Sequence, residues 1–183
     1  KPDFGLIQGI ATGQGMHCGD ITNPAPGAFY TAGDIDGLLQ AFDQIAAPGN
    51  APITQEAPAC VSTVCPDGTH HVVLDASIGM LHALATSSDP SQRLVIVAPS
   101  GEQVDLKPGS EQSDQKLAGA SLSWTWLSPK SLSLDLARVT DEGWVGDWKL
   151  AFVGDTKANG QTKSSLHLYG DILPTWPDAG RFW

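Results

Sequence analysis

The stretch LSWTWLSPKSLSLDL, residues 122–136, alternates large apolar and small polar side chains on both sides of a turn. Leu122, Trp124 and Trp126 fall on one face of its first half, because successive residues of a strand point to opposite sides. Residues 128–130, Ser-Pro-Lys, supply the turn. The second half repeats the pattern with Leu132, Leu134 and Leu136. The stretch therefore predicts two adjacent antiparallel strands.

The same period of two continues on both sides of this stretch. It recurs in the segments HHVVLDA, RLVIVAPSGEQVDL, GWVGDWKLAFVGD and SSLHLYG. About seven short strands, with a turn every 8–12 residues, predict a mainly β fold: an antiparallel, Ig-like β-sandwich over residues 57–172. Trp124 and Trp148 share their faces with leucines or phenylalanine, so we expect both in the core.

The segment before the sandwich has the spacing of an α-helix instead. In GAFYTAGDIDGLLQAFDQI, residues 27–45, Asp34 is a suitable N-cap, because its carboxylate accepts hydrogen bonds from first-turn amides. Apolar residues then recur on one helical face: Ile35, Leu38, Leu39, Phe42 and Ile45. Earlier in the chain, FGLIQGI predicts a buried strand. The pattern indicates one amphipathic helix that closes a partial α/β segment.

These patterns divide the chain into four parts. Residues 1–46 are predicted to be the end of an α/β domain, and residues 47–56 a linker rich in Pro and Ala. The sandwich follows over residues 57–172. Residues 173–183, broken by prolines, form a tail or the start of a further segment. The chain begins at Lys1, without an initiator Met or a signal peptide, so we expect a piece of a longer protein.

Charge and hydropathy exclude two classes of partner. The 183 residues carry 20 acidic and 10 basic side chains, a net charge of −10. Nucleic acids and anionic membrane surfaces attract clustered Lys and Arg, so neither is an expected partner. No apolar run approaches the roughly 20 residues of a membrane-spanning helix, so we expect no membrane segment.

Three cysteines bear on the cellular compartment: Cys18, Cys60 and Cys65. Cys60 and Cys65 are close enough in sequence to close a small disulfide ring. Cys18 is then left over, and the alternative is three buried, reduced thiols. We favour the disulfide, and with it an oxidising, extracellular or cell-surface location.

Residues that could carry catalysis or bind metal do not form a recognisable pattern. The chain contains no G-x-S-x-G sequence, and none of its five histidines lies in a known motif. His70 and His71 are adjacent in a predicted strand, so they point to opposite faces and cannot chelate one ion together. Asp141 and Glu142 lie in a predicted turn, where paired acids are usually solvated. We therefore expect no catalytic residue, no metal site and no cofactor in this chain.

Tryptophans are the remaining candidates for ligand contact, since aromatic platforms bind sugars and peptides. Trp126, Trp144, Trp176 and Trp183 are candidates for edge or interface positions. We predict that Trp126, Trp144 and Trp176 contact a ligand.

The first quarter of the chain resembles the C-terminal end of a von Willebrand factor type A domain. The resemblance rests on FGLIQGI followed by a G-x-[FY]-x-x-A-x-D…L…F…I segment. Its matching residues here are Gly27, Phe29, Ala32, Asp34, Leu38, Phe42 and Ile45. The part from LDASIGMLHAL to WVGDWKLAFV is similar to the β-sandwich region that follows such domains in actinobacterial secreted or surface proteins.

The resemblance implies a function through a neighbouring domain. Type A domains bind a divalent cation through a D-x-S-x-S motif, which is not in these residues. A cation would therefore bind upstream, and no ligand is transferred to a position here. We expect a non-enzymatic, extracellular sandwich module of an adhesion or assembly protein, which spaces or supports a ligand-binding domain that contacts a protein or glycan at the cell surface. The alternative is a stand-alone glycan- or peptide-binding module that uses exposed tryptophans.

Overall fold

Two units make up the chain in the computed structural model, Lys1–Phe42 and Asp43–Trp183. The boundary falls slightly before the predicted domain end at residue 46, inside a helix. The structure describes residues 3–13, 35–46, 52–155 and 160–170. In those ranges no helix is long and apolar enough to cross a membrane.

The first unit begins with helix α1, Phe4–Thr12. Asp3 caps its N-terminus by accepting a hydrogen bond from the Leu6 amide at 3.1 Å. Gly13 ends it with φ of 72°, a left-handed conformation that glycine adopts at little cost. The buried strand predicted for FGLIQGI is therefore wrong: a run without alternation, flanked by two capping residues, forms a helix. Its exposed large side chains are Phe4, Leu6, Ile7 and Ile10.

Helix α2, Ile35–Ala46, confirms the predicted amphipathic helix. Its predicted N-cap, Asp34, lies outside the described residues. The exposure of its two faces is the reverse of what amphipathic helices usually show. Asp36 and Gln40 are buried, whereas the side chains of Ile35, Leu38, Phe42 and Ile45 are exposed.

The second unit is built from strands, eleven of them in the described residues. They form a six-stranded sheet (sheet A, order β1-β11-β4-β9-β8-β7) and a five-stranded sheet (sheet B). In sheet B, β10 pairs with β5, which pairs with β6, and the other edge of β10 pairs with β2 and β3. Neighbours are antiparallel except β2 and β10. The strands are β1 Ile53–Pro58, β2 Cys60–Val61, β3 Thr69–Leu74, β4 Ile78–Ser87, β5 Arg93–Val97, β6 Gln103–Leu106, β7 Glu111–Leu117, β8 Ala120–Trp126, β9 Ser131–Arg138, β10 Gly146–Gly154 and β11 Gln161–Gly170.

The two sheets share one hydrophobic core, as the alternating sequence predicts. Leu122 and Trp124 of β8 lie opposite Leu136 and Leu134 of β9 in the register, and all four point inward. Sheet B contributes the inward residues of β10, β5 and β6 to the same core: Trp148, Leu150, Phe152, Leu94, Ile96 and Leu106. The mainly β, antiparallel sandwich is therefore confirmed, as is the core position of Trp124 and Trp148.

The predicted linker is shorter than expected. Residues 53–56 belong to β1, where Ile53 pairs with Leu166 of β11. Because β1 is the edge strand of sheet A, Pro58 at its end removes no hydrogen bond from the interior of the sheet. Proline and alanine therefore did not prevent strand formation there. The predicted tail, residues 173–183, lies outside the described residues.

Candidate functional site

A row of titratable side chains crosses the outer face of sheet A. His82 of β4 lies directly opposite His167 of β11 and directly opposite Asp135 of β9 in the strand register. Residues paired in this way have Cβ atoms about 5 Å apart, so their side chains interact. The flanking residues Leu81 and Leu136 point into the core, so the alternation of each strand turns the titratable neighbour outward.

The last turn of α2 completes this row with a second carboxylate. Asp43 Oδ2 lies 2.9 Å from His167 Nε2, and Asp43 Oδ1 lies 3.8 Å from His82 Nε2. Ser165 Oγ also donates a hydrogen bond to Asp43 Oδ2. On the other side, His82 Nδ1 lies 2.7 Å from Asp135 Oδ1. We call Asp43, His82, Asp135 and His167 the histidine–carboxylate row.

Burial within the row is graded from one end to the other. The His167 side chain is 2% exposed and that of Asp43 12%, whereas His82 is 26% and Asp135 51% exposed. A buried carboxylate is stable only when it is hydrogen-bonded or paired, and Asp43 has partners on β11 and β4. The row therefore joins the last turn of α2 to the sheet through charge-assisted contacts.

The row does not have the arrangement of a nucleophilic catalytic site. In a serine nucleophile site, the hydroxyl is hydrogen-bonded to the histidine that removes its proton. Here Ser165 donates to the carboxylate of Asp43 instead and is buried. In the described ranges, no three His, Cys, Asp or Glu side chains form a group suited to a metal ion. Sequence reasoning missed the row.

A second histidine site lies inside the sandwich. His70 of β3 is 1% exposed, and its ring nitrogens lie 2.8 Å from Thr162 Oγ1 and 2.9 Å from Ser164 Oγ. Burial and, as a smaller contribution, the charge of the adjacent His71 together lower the pKa of His70 to about 4. His71 itself is exposed, which confirms that the two adjacent histidines face opposite ways. His70 is thus a neutral, hydrogen-bonded link between β3 and β11.

The tryptophans predicted to contact a ligand fall into different environments. Trp144 is fully buried, and its Nε1 donates to the backbone oxygens of Ile78 and Asp75 at 2.9 and 3.2 Å. Its assignment as a ligand contact is therefore wrong, because the core encloses its ring. Trp126 packs against the core, and its buried Nε1 has no hydrogen-bond partner among the described residues. Trp176 lies outside the described residues.

The predicted disulfide is present between Cys60 and Cys65. It sits on the outer face of sheet B in a small apolar cluster with Val95, Ala151 and Val153. The turn after it requires glycine at position 68, since an added Cβ would lie 2.5 Å from Cys60 Sγ and 2.6 Å from the Pro58 oxygen. The third cysteine, Cys18, lies outside the described residues.

Two shallow depressions open on the surface of sheet A. One, of about 430 Å³, lies along β7 and β8 and is lined by Glu111, Gln112, Ser113, Trp124 and Thr125. The other, of about 360 Å³, lies two residues along the strands from the histidine–carboxylate row. Its lining residues are Gly79, Met80, Ala137, Arg138, Tyr169 and Gly170.

Comparison with known proteins adds a distant structural similarity. No family model matches the chain, and no curated protein matches it. The solved structure of the CspB protease of Clostridium perfringens is similar over 76% of this chain, at 9% identity and a TM-score of 0.41. This chain spans 33% of that protease structure. A similarity of this size carries no information on the activity of this chain.

Proposed function

We propose that this chain is a non-enzymatic β-sandwich module of an extracellular or cell-surface adhesion or assembly protein, similar to those with von Willebrand factor type A domains. In this role the sandwich spaces or supports a neighbouring domain that binds the ligand. The observation that carries the proposal is the exposed apolar face of α2, where Phe42 is 59% exposed.

The proposed occupant of this face is the sheet of an α/β domain. Ile35, Leu38, Phe42 and Ile45 recur at helical spacing along one side of α2 and are exposed. Such a face is stable in water only when another element buries it. In the type A resemblance, α2 is the final helix of the domain, and a helix in that position covers the domain's sheet with its apolar face.

The disulfide supports the extracellular part of the proposal. Disulfides persist in oxidising compartments and are rare in the cytosol. Cys60 and Cys65 are bonded across a sequence separation of 5, and Cys60 is buried.

The test is the form of the protein that its native host produces. We expect its intact mass and N-terminal sequence to show an additional domain of roughly 150 residues, a typical domain size, before Lys1. We further expect cell adhesion by this longer form to be lost when a chelator removes divalent cations. Replacing the outward Phe42 with Ser in that form should weaken adhesion, whereas Val73→Ser, at an exposed residue of β3, should not. A native species that starts at Lys1 would overturn the proposal.

The depression beside Trp124 supports a second candidate function, a glycan- or peptide-binding module. Glu111, Gln112 and Thr125 offer polar groups beside the small exposed part, 8%, of Trp124, whose ring otherwise lies in the core. A few such polar groups orient the ligand in a binding pocket. The test is quenching of tryptophan fluorescence by cell-wall glycan fragments. Gln112→Ala should abolish the response, and Gln103→Ala, at an exposed position on β6, should retain it. No quenching across a set of glycans and peptides would remove this candidate.

A further inference from the structure

The imidazole of His82 is held between two carboxylates that come from different elements. Asp135 of β9 lies 2.7 Å from its Nδ1, and Asp43 of α2 lies 3.8 Å from its Nε2. The two carboxylates point at opposite edges of one ring.

These distances show which ring nitrogens of His82 carry a hydrogen atom. A carboxylate only accepts hydrogen bonds, so Nδ1 of His82 must carry the hydrogen that points to Asp135. In neutral His82, Nε2 then presents a lone pair to Asp43, and the two groups repel. In the imidazolium form, Nε2 carries a hydrogen as well, and both carboxylates are attracted.

We propose that the histidine–carboxylate row is a proton-operated clamp, in which the imidazolium form of His82 fastens the last turn of α2, residues 43–46, to sheet A. Binding of the proton adds an attraction between Asp43 and β4 to the contacts that Asp43 already makes with β11. Loss of the proton leaves Asp43 with its contacts to β11, next to a repelling lone pair. The clamp is therefore tighter in mildly acidic solution than in mildly alkaline solution.

The charged neighbours of His82 are consistent with this direction. The titratable groups that face it are Asp43 from α2, Asp135 from β9 and His167 from β11, whose ring centre lies 6.0 Å away. His167 itself lies 2.9 Å from Asp43, so a charge on either histidine is balanced by a carboxylate. The same-face neighbours of His82 along β4, Met80 and Leu84, are uncharged.

This inference goes beyond the proposed function and does not depend on it. It concerns the attachment of residues 43–46 to their own sheet, whatever domain adjoins the chain. An adhesion test can therefore fail while the clamp is present, and the clamp can fail while adhesion is confirmed.

The test is amide hydrogen exchange of the last turn of α2, followed by NMR together with the ring signals of His82. Exchange rates are corrected for the intrinsic effect of pH, and the buffers contain EDTA so that bound metal does not contribute. Between about pH 8 and about pH 5.5, where histidine side chains usually change charge, we expect protection in the unmodified chain to rise about tenfold. The ring signals of His82 report its charge in the same samples.

Three variants separate the clamp from other effects of pH. His82→Gln keeps a side chain that donates to Asp135 but cannot become charged, so the rise in protection should disappear. Asp135→Asn, at a half-exposed position, should reduce the rise without unfolding the chain. His71→Gln removes an exposed histidine that pairs with Asp147 on sheet B and should leave the rise unchanged. Equal pH dependence in the unmodified chain and in both His82→Gln and Asp135→Asn would overturn the proposal.

Discussion

The strands of the sandwich and helix α2 are both amphipathic, yet they bury opposite sides. In β10 the large residues Trp148 and Phe152 are fully enclosed between the sheets. In α2 the apolar residue Phe42 is 59% exposed, whereas polar Gln40 is buried. The apolar sides of the strands in the two sheets thus pack against each other within this chain. The apolar side of the helix has no such partner surface among the described residues. The sandwich core stabilises the fold, whereas the apolar face of the helix is exposed.

The largest expected effect is the difference in stability between two phenylalanine substitutions, one in the sandwich core and one on the helix face. Phe152→Ala removes a fully buried ring and should lower the free energy of unfolding by about 3–5 kcal/mol, through lost burial and the cavity left behind. Phe42→Ala removes an exposed ring and should change it by less than about 0.5 kcal/mol. Urea unfolding of the two variants measures both. A comparable loss in Phe42→Ala would show that the helix face is buried in solution.

The buried histidine of the sandwich predicts a loss of stability in acid. The pKa of His70 is about 4 in the folded chain and about 6.5 in the unfolded chain, so below about pH 6.5 the unfolded chain takes up a proton that the folded chain does not. Stability should therefore fall by about 3 kcal/mol as the pH falls from about 6.5 to about 4. Unfolding curves measured at several pH values test this sign.

Two glutamine variants test whether His70 is the source of this pH dependence. His70→Gln should flatten the pH dependence in this window, because glutamine does not titrate. His71→Gln, at the exposed neighbour, should keep it. The clamp at His82 is present in both variants and cancels from their comparison. The prediction fails if His70→Gln and the unmodified chain lose stability in parallel.

The disulfide on the outer face of sheet B gives a third prediction about stability. Replacing Cys60 and Cys65 with Ser opens a ring of sequence separation 5 and should cost about 2 kcal/mol, mainly through greater freedom of the unfolded chain. Thermal unfolding with and without reductant measures it. The double variant should no longer respond to reductant, and an unchanged response would contradict the assignment.

The smallest expected effects distinguish two tryptophans within the core. Trp144→Phe leaves the oxygens of Asp75 and Ile78 without their indole donor and should cost about 1–2 kcal/mol. Trp126→Phe removes a buried N–H that has no partner, so the loss of packing is largely offset and the change should stay below about 1 kcal/mol. Denaturation with urea resolves the difference. A larger loss in Trp126→Phe would show that its N–H has a partner in solution.

Much of the sandwich was predictable because strand periodicity is a local property. The alternation around Trp124 identified both faces of β8 and β9 before any pairing was known. Trp144 was misassigned although the alternation in GWVGDWKLAFVGD places it in phase with Trp148, a signal that favoured the core. The structure has Trp144 in the turn before β10. The helix at Phe4–Thr12 was missed because its short apolar run suits either element, and its caps, Asp3 and Gly13, decided the outcome.

The histidine–carboxylate row was beyond sequence reasoning for a different reason. LHALA, LDL and LHLYG each place a titratable residue beside core leucines, which indicates only that these residues point outward. That His82 meets both His167 and Asp135 depends on the register of three strands. Asp43 joins them from 124 residues away from His167, a separation that no local pattern spans.

By itself, the sequence determined the mainly β class, the inward side of β8 and β9 and the spacing of the disulfide, because each depends on residues close together in the chain. Only the tertiary structure decided which side of α2 is exposed, that Trp144 is enclosed, and which histidines meet carboxylates. Those outcomes depend on what packs against each residue. A helix with one apolar side has the same sequence whether that side is covered by its own chain or left for another domain.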